Sequence, residues 1–369
     1  MIRYGIIGTG SMGLEHIANL HVIDGVQVTA LADPFPASLQ RAAQYAPNAR
    51  TFTDHKALLD SGLVDAVIIA TPNDTHVDVL RDALATDLAV FVEKPLATTI
   101  EDCLSIAEWS RNRKALTWVG LEYRYMPPVQ EVVQRAHAGM VGKIHQVSIR
   151  EHREPFYQKV GNWNRFTERT GGTLVEKCCH YFNLMDVVLQ ENPVRVFASG
   201  DQRVNALDEV YDGKQADMLD SAFVIVEYAS GARAMLDLCM FAENSVDKEH
   251  LTVVGDEGKL ESFLPALNMR YTRRADWGSK TAWGENTGTG RGAELKYCWD
   301  VNIRYVGHHY GASWIEHMKF VDAYREGKPA EVTMNDGVRS VATGLAAHKS
   351  IREGRPVMMS EILPADFSF

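Results

Sequence analysis

The feature that most constrains this chain is a glycine loop, Gly8-Thr9-Gly10-Ser11-Met12-Gly13, set between the apolar run Arg3–Ile7 and the helix-spaced stretch Leu14–Ile23. In that context each glycine has a reason. Gly8 permits a tight turn, Gly10 lets a pyrophosphate approach the backbone, and Gly13 lets the helix pack closely on the strand. Thr9, Ser11 and Met12 complete the loop, and the helix N-terminus behind it faces the phosphate charge. A glycine-rich turn without a ligand is the alternative; strand, spacing and helix all favour the dinucleotide. Asp33 stands twenty residues after Gly13 at the end of the next apolar run, where a carboxylate accepts hydrogen bonds from the adenosine ribose hydroxyls. A 2′-phosphate would be repelled there, and neighbouring Pro34 and Phe35 offer no Arg to offset it, so NAD is expected over NADP. Asp33 could also cap a helix from Pro36, which does not exclude the ribose role.

Beyond the loop, short runs rich in Val, Ile and Ala alternate with helix-like segments to about residue 120, as expected of βαβ units and a parallel sheet. The expected strands are Arg3–Ile7, Gln27–Ala32, Ala66–Ala70, Ala89–Val92 and Leu116–Val119. The expected helices are Leu14–Ile23, Pro36–Tyr45, Thr75–Ala85 and Ile100–Arg111. After Pro127-Pro128 a helix, Val129–Ala138, gives way to successive strands at Ile144–Glu151, Val194–Gly200, Ser221–Ala229, Ala232–Met240, Leu251–Val254 and Lys259–Ser262. Ser230-Gly231 between two alternating runs reads as a hairpin, so this second sheet should be largely antiparallel. A helix over Thr173–Val188, a long surface loop over Arg273–Asp300, and closing helices at Ser313–Glu326 and Asp336–Glu353 complete the expected order. With 369 residues, more than one core usually organises, two domains are expected: 1–122 for the dinucleotide and 123–369 for substrate and oligomerisation.

Charge and cysteine usage exclude several function classes. The 38 basic and 48 acidic residues give a net charge of −10, and no run of Lys or Arg offers a track for nucleic acid. The opening MIRYGIIGTGSMG breaks at glycine and reads as neither signal peptide nor membrane span. A cytoplasmic protein with no membrane partner is expected. Cys103, Cys178, Cys179, Cys239 and Cys298 form an odd set with no CxxC pair, which argues for reduced thiols and against a zinc cluster.

Two further clusters could carry chemistry. Thr71-Pro72-Asn73-Asp74-Thr75-His76 and Glu93-Lys94-Pro95 each follow a parallel strand, and ligands of doubly wound sheets bind at those carboxyl ends. Thr71, Asn73, His76, Glu93 and Lys94 are therefore cofactor-side candidates. Asp74 is expected to cap the next helix, and Glu93-Lys94 could instead be an ion pair at a strand edge. In Gly171-Gly172-Thr173-Leu174-Val175-Glu176-Lys177-Cys178-Cys179-His180, a helix from Thr173 would put Glu176 and His180 on one face. The carboxylate could then orient the imidazole or bind the same substrate, and the glycine pair would let backbone and substrate come close. Oxidation of a secondary alcohol needs a proton acceptor as hydride leaves for nicotinamide, and His with an ordinary pKa of about 6.5 suits that at neutral pH. Lys94 beside the hydroxyl would stabilise the developing alkoxide. His308 and His309 have no metal-ligand spacing with His180, so no metal is expected, and substrate-hydroxyl contact or a helix lead-in is favoured for the pair.

Together, GxGxxG, Thr71-Pro72-Asn73 with His76, Glu93-Lys94-Pro95, and Gly171-Gly172 leading to an acid and His180 resemble the Gfo/Idh/MocA family of glucose-fructose oxidoreductase, inositol dehydrogenase and rhizopine-catabolism proteins. The likeness spans essentially the whole chain, and Glu-Lys-Pro is its most specific element. It implies an α/β fold, with an N-terminal Rossmann domain and a C-terminal α/β domain whose open sheet often serves as subunit interface, hence a homo-oligomer, dimer or tetramer. It implies Lys94 as catalytic lysine, His180 as general base, and site positions for Arg124 and Trp163. Most relatives place Asp where this chain has Glu176, so that residue could touch substrate, steady His180 or pair with Lys177. The activity implied is NAD-dependent oxidation of a ring secondary hydroxyl on a sugar, glycoside or inositol-type polyol. The alternatives are a non-catalytic NAD-dependent sensor of sugars, or an NAD-recycling glycoside-processing enzyme with a 3-keto intermediate.

Overall fold

The computed structural model describes residues 1–276, 293–365 and 367. Six strands form a wholly parallel sheet: β1 (Ile2–Ile7), β2 (Val26–Ala32), β3 (Arg50–Phe52), β4 (Ala66–Ile69), β5 (Ala89–Glu93) and β6 (Thr117–Gly120). The helices between them are α1 (Ser11–His21), α2 (Pro36–Tyr45), α3 (His55–Leu59), α4 (His76–Leu84) and α5 (Ile100–Ser110). Every residue of β4 and β5 is buried, which is why those strands read as unbroken apolar runs. The order β3-β2-β1-β4-β5-β6 reverses between β1 and β4 and opens a crevice at their carboxyl ends. Helix α1 begins at Ser11, earlier than its apolar spacing suggests, so Ser11, Met12 and Gly13 form its first turn with unpaired N–H groups. Strand β3 was not among the expected elements, since two of its three residues are exposed and leave no apolar pattern.

After helix α6 (Pro127–His137) come β7 (Ile144–His152), the short helices α7 (Thr167–Thr170) and α8 (Thr173–Glu176), α9 (Cys179–Leu189) and β8 (Pro193–Asp201). A small hairpin, β9 (Val210–Tyr211) and β10 (Lys214–Gln215), precedes β11 (Ser221–Tyr228), β12 (Arg233–Cys239), β13 (Glu249–Gly255), β14 (Gly258–Leu264), β15 (Asn268–Arg273) and β16 (Glu294–Tyr297). Helices α10 (Ala312–Glu326) and α11 (Met334–Glu353) and strand β17 (Val357–Met358) follow. The second sheet runs β16-β15-β14-β13-β7-β12-β11-β8-β17. Its pairings are antiparallel except β7 with β12, which is parallel because the long excursion through α9 separates them.

Two expectations fail locally. Thr173–Val188 is not one helix but α8 and α9, interrupted at Lys177-Cys178. The stretch Arg273–Asp300, expected as loop, contains β16 pairing with β15; its residues 277–292 lie outside the described residues. The four residues of β16 are all exposed, so no alternation betrays them.

In β11 the buried side chains are Ala222, Val224, Val226 and Tyr228, while Phe223 and Ile225 point the other way. The inner face packs on α9 and α11 and leaves Phe197, Phe223, Ile225 and Met235 exposed on the outer one. Helix α10 follows the second sheet in the chain yet returns to the first. The buried Phe320 ring lies 6.2 Å from Tyr4, 5.8 Å from Phe91 and 6.1 Å from Trp118, centroid to centroid. Phe320→Ala should therefore cost about 3–5 kcal/mol by emptying a fully enclosed space. Urea unfolding followed by tryptophan fluorescence checks it, and a loss below about 1 kcal/mol would show that α10 is not anchored there.

Candidate active site

The glycine loop has the shape a dinucleotide needs. Gly8 takes φ +90°, and a Cβ there would lie 2.5 Å from the carbonyl oxygen of Ala70. A Cβ on Gly13 would collide with the Gly8 carbonyl, whereas in front of Gly10 there is open space. The free N–H groups opening α1 face that space, so the loop fits a pyrophosphate. Asp33 is held ready beside it: Oδ2 accepts from Thr9 N–H at 2.7 Å and from Thr9 Oγ1 at 3.0 Å, and Oδ1 from Phe35 N–H at 2.8 Å. The helix-cap alternative is thereby displaced, since Phe35 occupies the cap position of α2.

Across the crevice, the β4 and β5 loops are tied together. His76 is wholly buried, with Nδ1 2.8 Å from the carbonyl of Pro95 and Nε2 3.1 Å from that of Thr71. Burial lowers its pKa, so the neutral ring donates to one carbonyl at a time. His76 thus bridges the two loops through their main chains. Asn73 Nδ2 donates to the carbonyl of Thr170 at 3.3 Å. Asp74, expected as a helix cap, instead accepts from Arg169 Nε at 2.8 Å, because Arg169 on α7 lies opposite. The strand-edge ion pair suggested for Glu93-Lys94 does not form: Glu93 Oε1 lies 3.0 Å from His16 Nε2, and Lys94 reaches elsewhere.

Lys94 Nζ donates to the carbonyl oxygen of Glu176 at 3.0 Å. That oxygen is free because the chain breaks between α8 and α9; Cys179 Sγ, at 3.6 Å, is its other donor. Two residues after the break stands His180, its ring stacked face to face on Tyr123 at 3.9 Å and 7°. One imidazole nitrogen, Nδ1, is buried without a partner, and Nε2 lies 3.7 Å from Glu122 Oε1. Burial depresses the His180 pKa well below its ordinary value, and the charges of Lys94 and Lys177 and the neighbouring His309 depress it further. For Lys94, burial opposes its charge, but Cys179, Glu176, Glu93 and Glu122 outweigh it and hold the pKa above the usual lysine value. The surroundings thus favour the charged form of Lys94 and the neutral form of His180.

The carboxylate beside His180 is consequently Glu122, not Glu176. The helix break rotates Glu176 out of register, and its Oε1 lies 3.4 Å from Lys159 Nζ. Lys159 in turn rests 4.5 Å over the Trp163 ring, which places Trp163 at this edge of the site. Glu176 does not pair with Lys177 either: Lys177 Nζ lies 2.9 Å from Glu151 Oε1 and donates to the Tyr123 hydroxyl. His309 Nδ1 sits 3.4 Å from the same Glu122 oxygen, whereas His308 is exposed beside Glu15. Arg124 is engaged structurally, donating to Asn183 Oδ1 at 2.6 Å and to the Glu331 carbonyl at 3.1 Å. The space at Gly171-Gly172 is filled by the protein itself. Cβ atoms there would strike Val175 of α8 and His348 of α11, so the pair serves packing of these helices rather than approach of a substrate.

Glu122, Tyr123 and Lys159 were not singled out from sequence as site residues. The first two follow β6 directly, so their place at a strand's carboxyl end was the available signal. Lys159 sits in an irregular stretch and had none. Among the described residues no group of His, Cys, Asp and Glu is gathered as a metal site, and no helix is long and apolar enough to cross a membrane.

Comparison with known proteins bears on the family and the fold. Residues 2–121 match the Gfo/Idh/MocA family description "Oxidoreductase family, NAD-binding Rossmann fold", and residues 135–359 match "Oxidoreductase family, C-terminal alpha/beta domain". The inositol 2-dehydrogenase of Rhizobium meliloti is 27% identical over 97% of this chain and 99% of its own length. The myo-inositol 2-dehydrogenase of Thermotoga maritima is 25% identical over 98% of this chain and 100% of its own. Levoglucosan dehydrogenase, solved with NADH and levoglucosan, shares the fold with a TM-score of 0.83 at 18% identity, covering 97% of this chain and 99% of that one. Both halves of the molecule therefore carry one signature, and the chain belongs to the Gfo/Idh/MocA family of NAD-binding oxidoreductases.

Proposed function

We propose that this protein is an NAD-dependent dehydrogenase that oxidises a ring secondary hydroxyl of a sugar, glycoside or cyclic polyol of the inositol type. The observation that carries the proposal is the meeting of a charged Lys94 with the α8–α9 break that presents a neutral His180. The names of the inositol dehydrogenases among its relatives support the substrate class. Bound NAD supplies the hydride acceptor. His180 takes the hydroxyl proton, and Lys94 donates to the oxygen and stabilises its developing negative charge. Asp33 favours NAD over NADP by meeting a ribose diol and repelling a 2′-phosphate. Trp163 and His309 border the substrate space. A sensor without catalysis would have no use for this acid–base pair.

The outer face of the second sheet, with exposed Phe197, Phe223, Ile225 and Met235, supports a homo-oligomer, since an apolar patch of this kind is normally covered. Five free and mostly buried cysteines fit a reducing compartment such as the cytoplasm.

Purified protein given NAD and a panel of inositols, aldoses and glycosides should produce NADH with at least one. Tight NAD binding without oxidation or keto-sugar reduction would leave only the sensor, and product without net NADH would point to the NAD-recycling alternative. Lys94→Ala and His180→Ala should each lower turnover by about two to four orders of magnitude, with NAD affinity by calorimetry nearly unchanged. Unchanged turnover in both removes the site assignment. Asp33→Ala should raise the KM for NAD and relax discrimination against NADP. Because the His180 pKa is depressed, the base stays unprotonated as pH falls through the ordinary histidine range. The acidic limb of kcat/KM should accordingly lie below about pH 6.5; a limb above it would show a base without that environment.

A further inference from the structure

A buried base raises the question of where its proton goes. The side chains of His180 and Glu122 are each only 2% exposed, so neither delivers a proton to water directly. One carboxylate oxygen, Glu122 Oε1, stands between two imidazoles, 3.7 Å from His180 Nε2 and 3.4 Å from His309 Nδ1. Of these three groups His309 alone reaches solvent appreciably, with 19% of its side chain exposed. Its ring leans on Tyr123, the residue on which His180 is stacked, at 5.6 Å and 51°. From the geometry we infer that Glu122 and His309 form a proton relay that drains His180 to solvent during turnover.

This inference rests on the dehydrogenase function proposed above and adds two residues to it. In the oxidation, the carbinol C–H bond breaks with its electron pair leaving as hydride to NAD⁺, the O–H bond breaks, and the carbon–oxygen double bond forms. The hydroxyl proton bonds to His180. The imidazolium then gives a proton from Nε2 to the carboxylate Oε1 of Glu122, Oε1 gives one to Nδ1 of His309, and protonated His309 gives one to water, so one proton leaves for each hydride transferred and no group keeps an added charge. The separations are a few tenths of an ångström beyond hydrogen-bond reach, as is common before substrate draws a site together. The electrostatics suit a transient carrier. Burial raises the Glu122 pKa well above the ordinary carboxylate value, with Glu93 and Glu316 raising it and Lys94 and Lys177 opposing. The rise makes the carboxylate a stronger proton acceptor than an ordinary one. Burial and the charge of Lys177 push His309 down to about 3, with Glu93 opposing and Lys94 and His308 adding to the fall. His309 rests neutral and holds the proton only in passing.

Glu122 and His309 are positioning residues that act through His180, and their test must separate relay from architecture. With NAD and myo-inositol, or the panel compound that turns over where myo-inositol does not, Glu122→Gln should lower kcat about ten- to hundredfold with KM within about twofold. His309→Ala should lose about tenfold in kcat and regain it with added imidazole buffers, the recovery rising with buffer concentration and basicity. A packing defect gives no such dependence. Turnover of both variants within twofold of the parent, or loss in His309→Ala that no buffer restores, overturns the relay while leaving the dehydrogenase function standing. Should the parent oxidise nothing, that function fails, and the relay is read without substrate. In ¹⁵N-histidine NMR of the NADH complex, His180 and His309 should respond to pH together in the parent and independently in Glu122→Gln. Independent response in the parent overturns it.

Discussion

The molecule depends on one charge-assisted hydrogen bond, from Lys94 Nζ to the main-chain carbonyl of Glu176. It joins the carboxyl end of β5, in the cofactor sheet, to the last residue of α8, just before the helix that carries His180. Hydrogen bonds to charged groups contribute roughly 1.5–3 kcal/mol, and a backbone acceptor holds its position without titrating. The acceptor exists only because α8 stops at Glu176. In a continuous helix that carbonyl would take the N–H four residues on, which is His180 itself. The break thus frees the oxygen that positions the lysine and, in the same step, turns the imidazole away from Glu176 and toward Glu122.

A site this buried must offset the desolvation of its own charges. Lys177 illustrates how: with its ammonium hidden, it lies against Glu151 Oε1 and donates to the Tyr123 hydroxyl, while Arg153 approaches the same Glu151 oxygen at 3.6 Å. Pairs of this kind seldom add stability over an apolar filling. What this one does is electrostatic and directional. It holds a positive charge behind the Tyr123 ring on which His180 is stacked, and so helps to keep the imidazole unprotonated. Glu249, paired opposite Glu151 on the neighbouring strand β13, is pushed up to about 7 by burial and the proximity of that carboxylate, against the pull of Lys177 and Arg153. Near neutrality the cluster therefore need not hold a second full negative charge.

The fold was legible where one residue pattern had one cause. Fully buried β4 and β5 announce themselves as apolar runs, and Gly8, Gly13 and Asp33 occupy spacings that only a strand, turn and helix around a dinucleotide require. Exposed β16 and three-residue β3 carried no such pattern. At the site, Lys94 and His180 were legible because each lies in a dense local cluster. Glu122 was not, because its relation to His180 is tertiary: it is 58 positions away in sequence and becomes a neighbour only through the α8–α9 break. Helical spacing put Glu176 on the face of His180, and a two-residue interruption at Lys177-Cys178 moved it. Periodicity cannot register such an interruption, since Lys and Cys are each compatible with a helix.

The placements of Glu176 and Glu122 read most simply as one arrangement. A carboxylate directed at His180 from α8 would compete with Lys94 for the space in front of the imidazole and raise the base's pKa by direct charge. Here the longer Glu176 side chain lies toward Lys159 at the rim, and its main-chain oxygen alone faces Lys94. The acid that remains beside His180 comes from the opposite side, after β6, where burial raises its pKa. Base and acid are then separated from the ammonium instead of sharing one helical face with it, so a neutral imidazole and a charged lysine can coexist in a buried site.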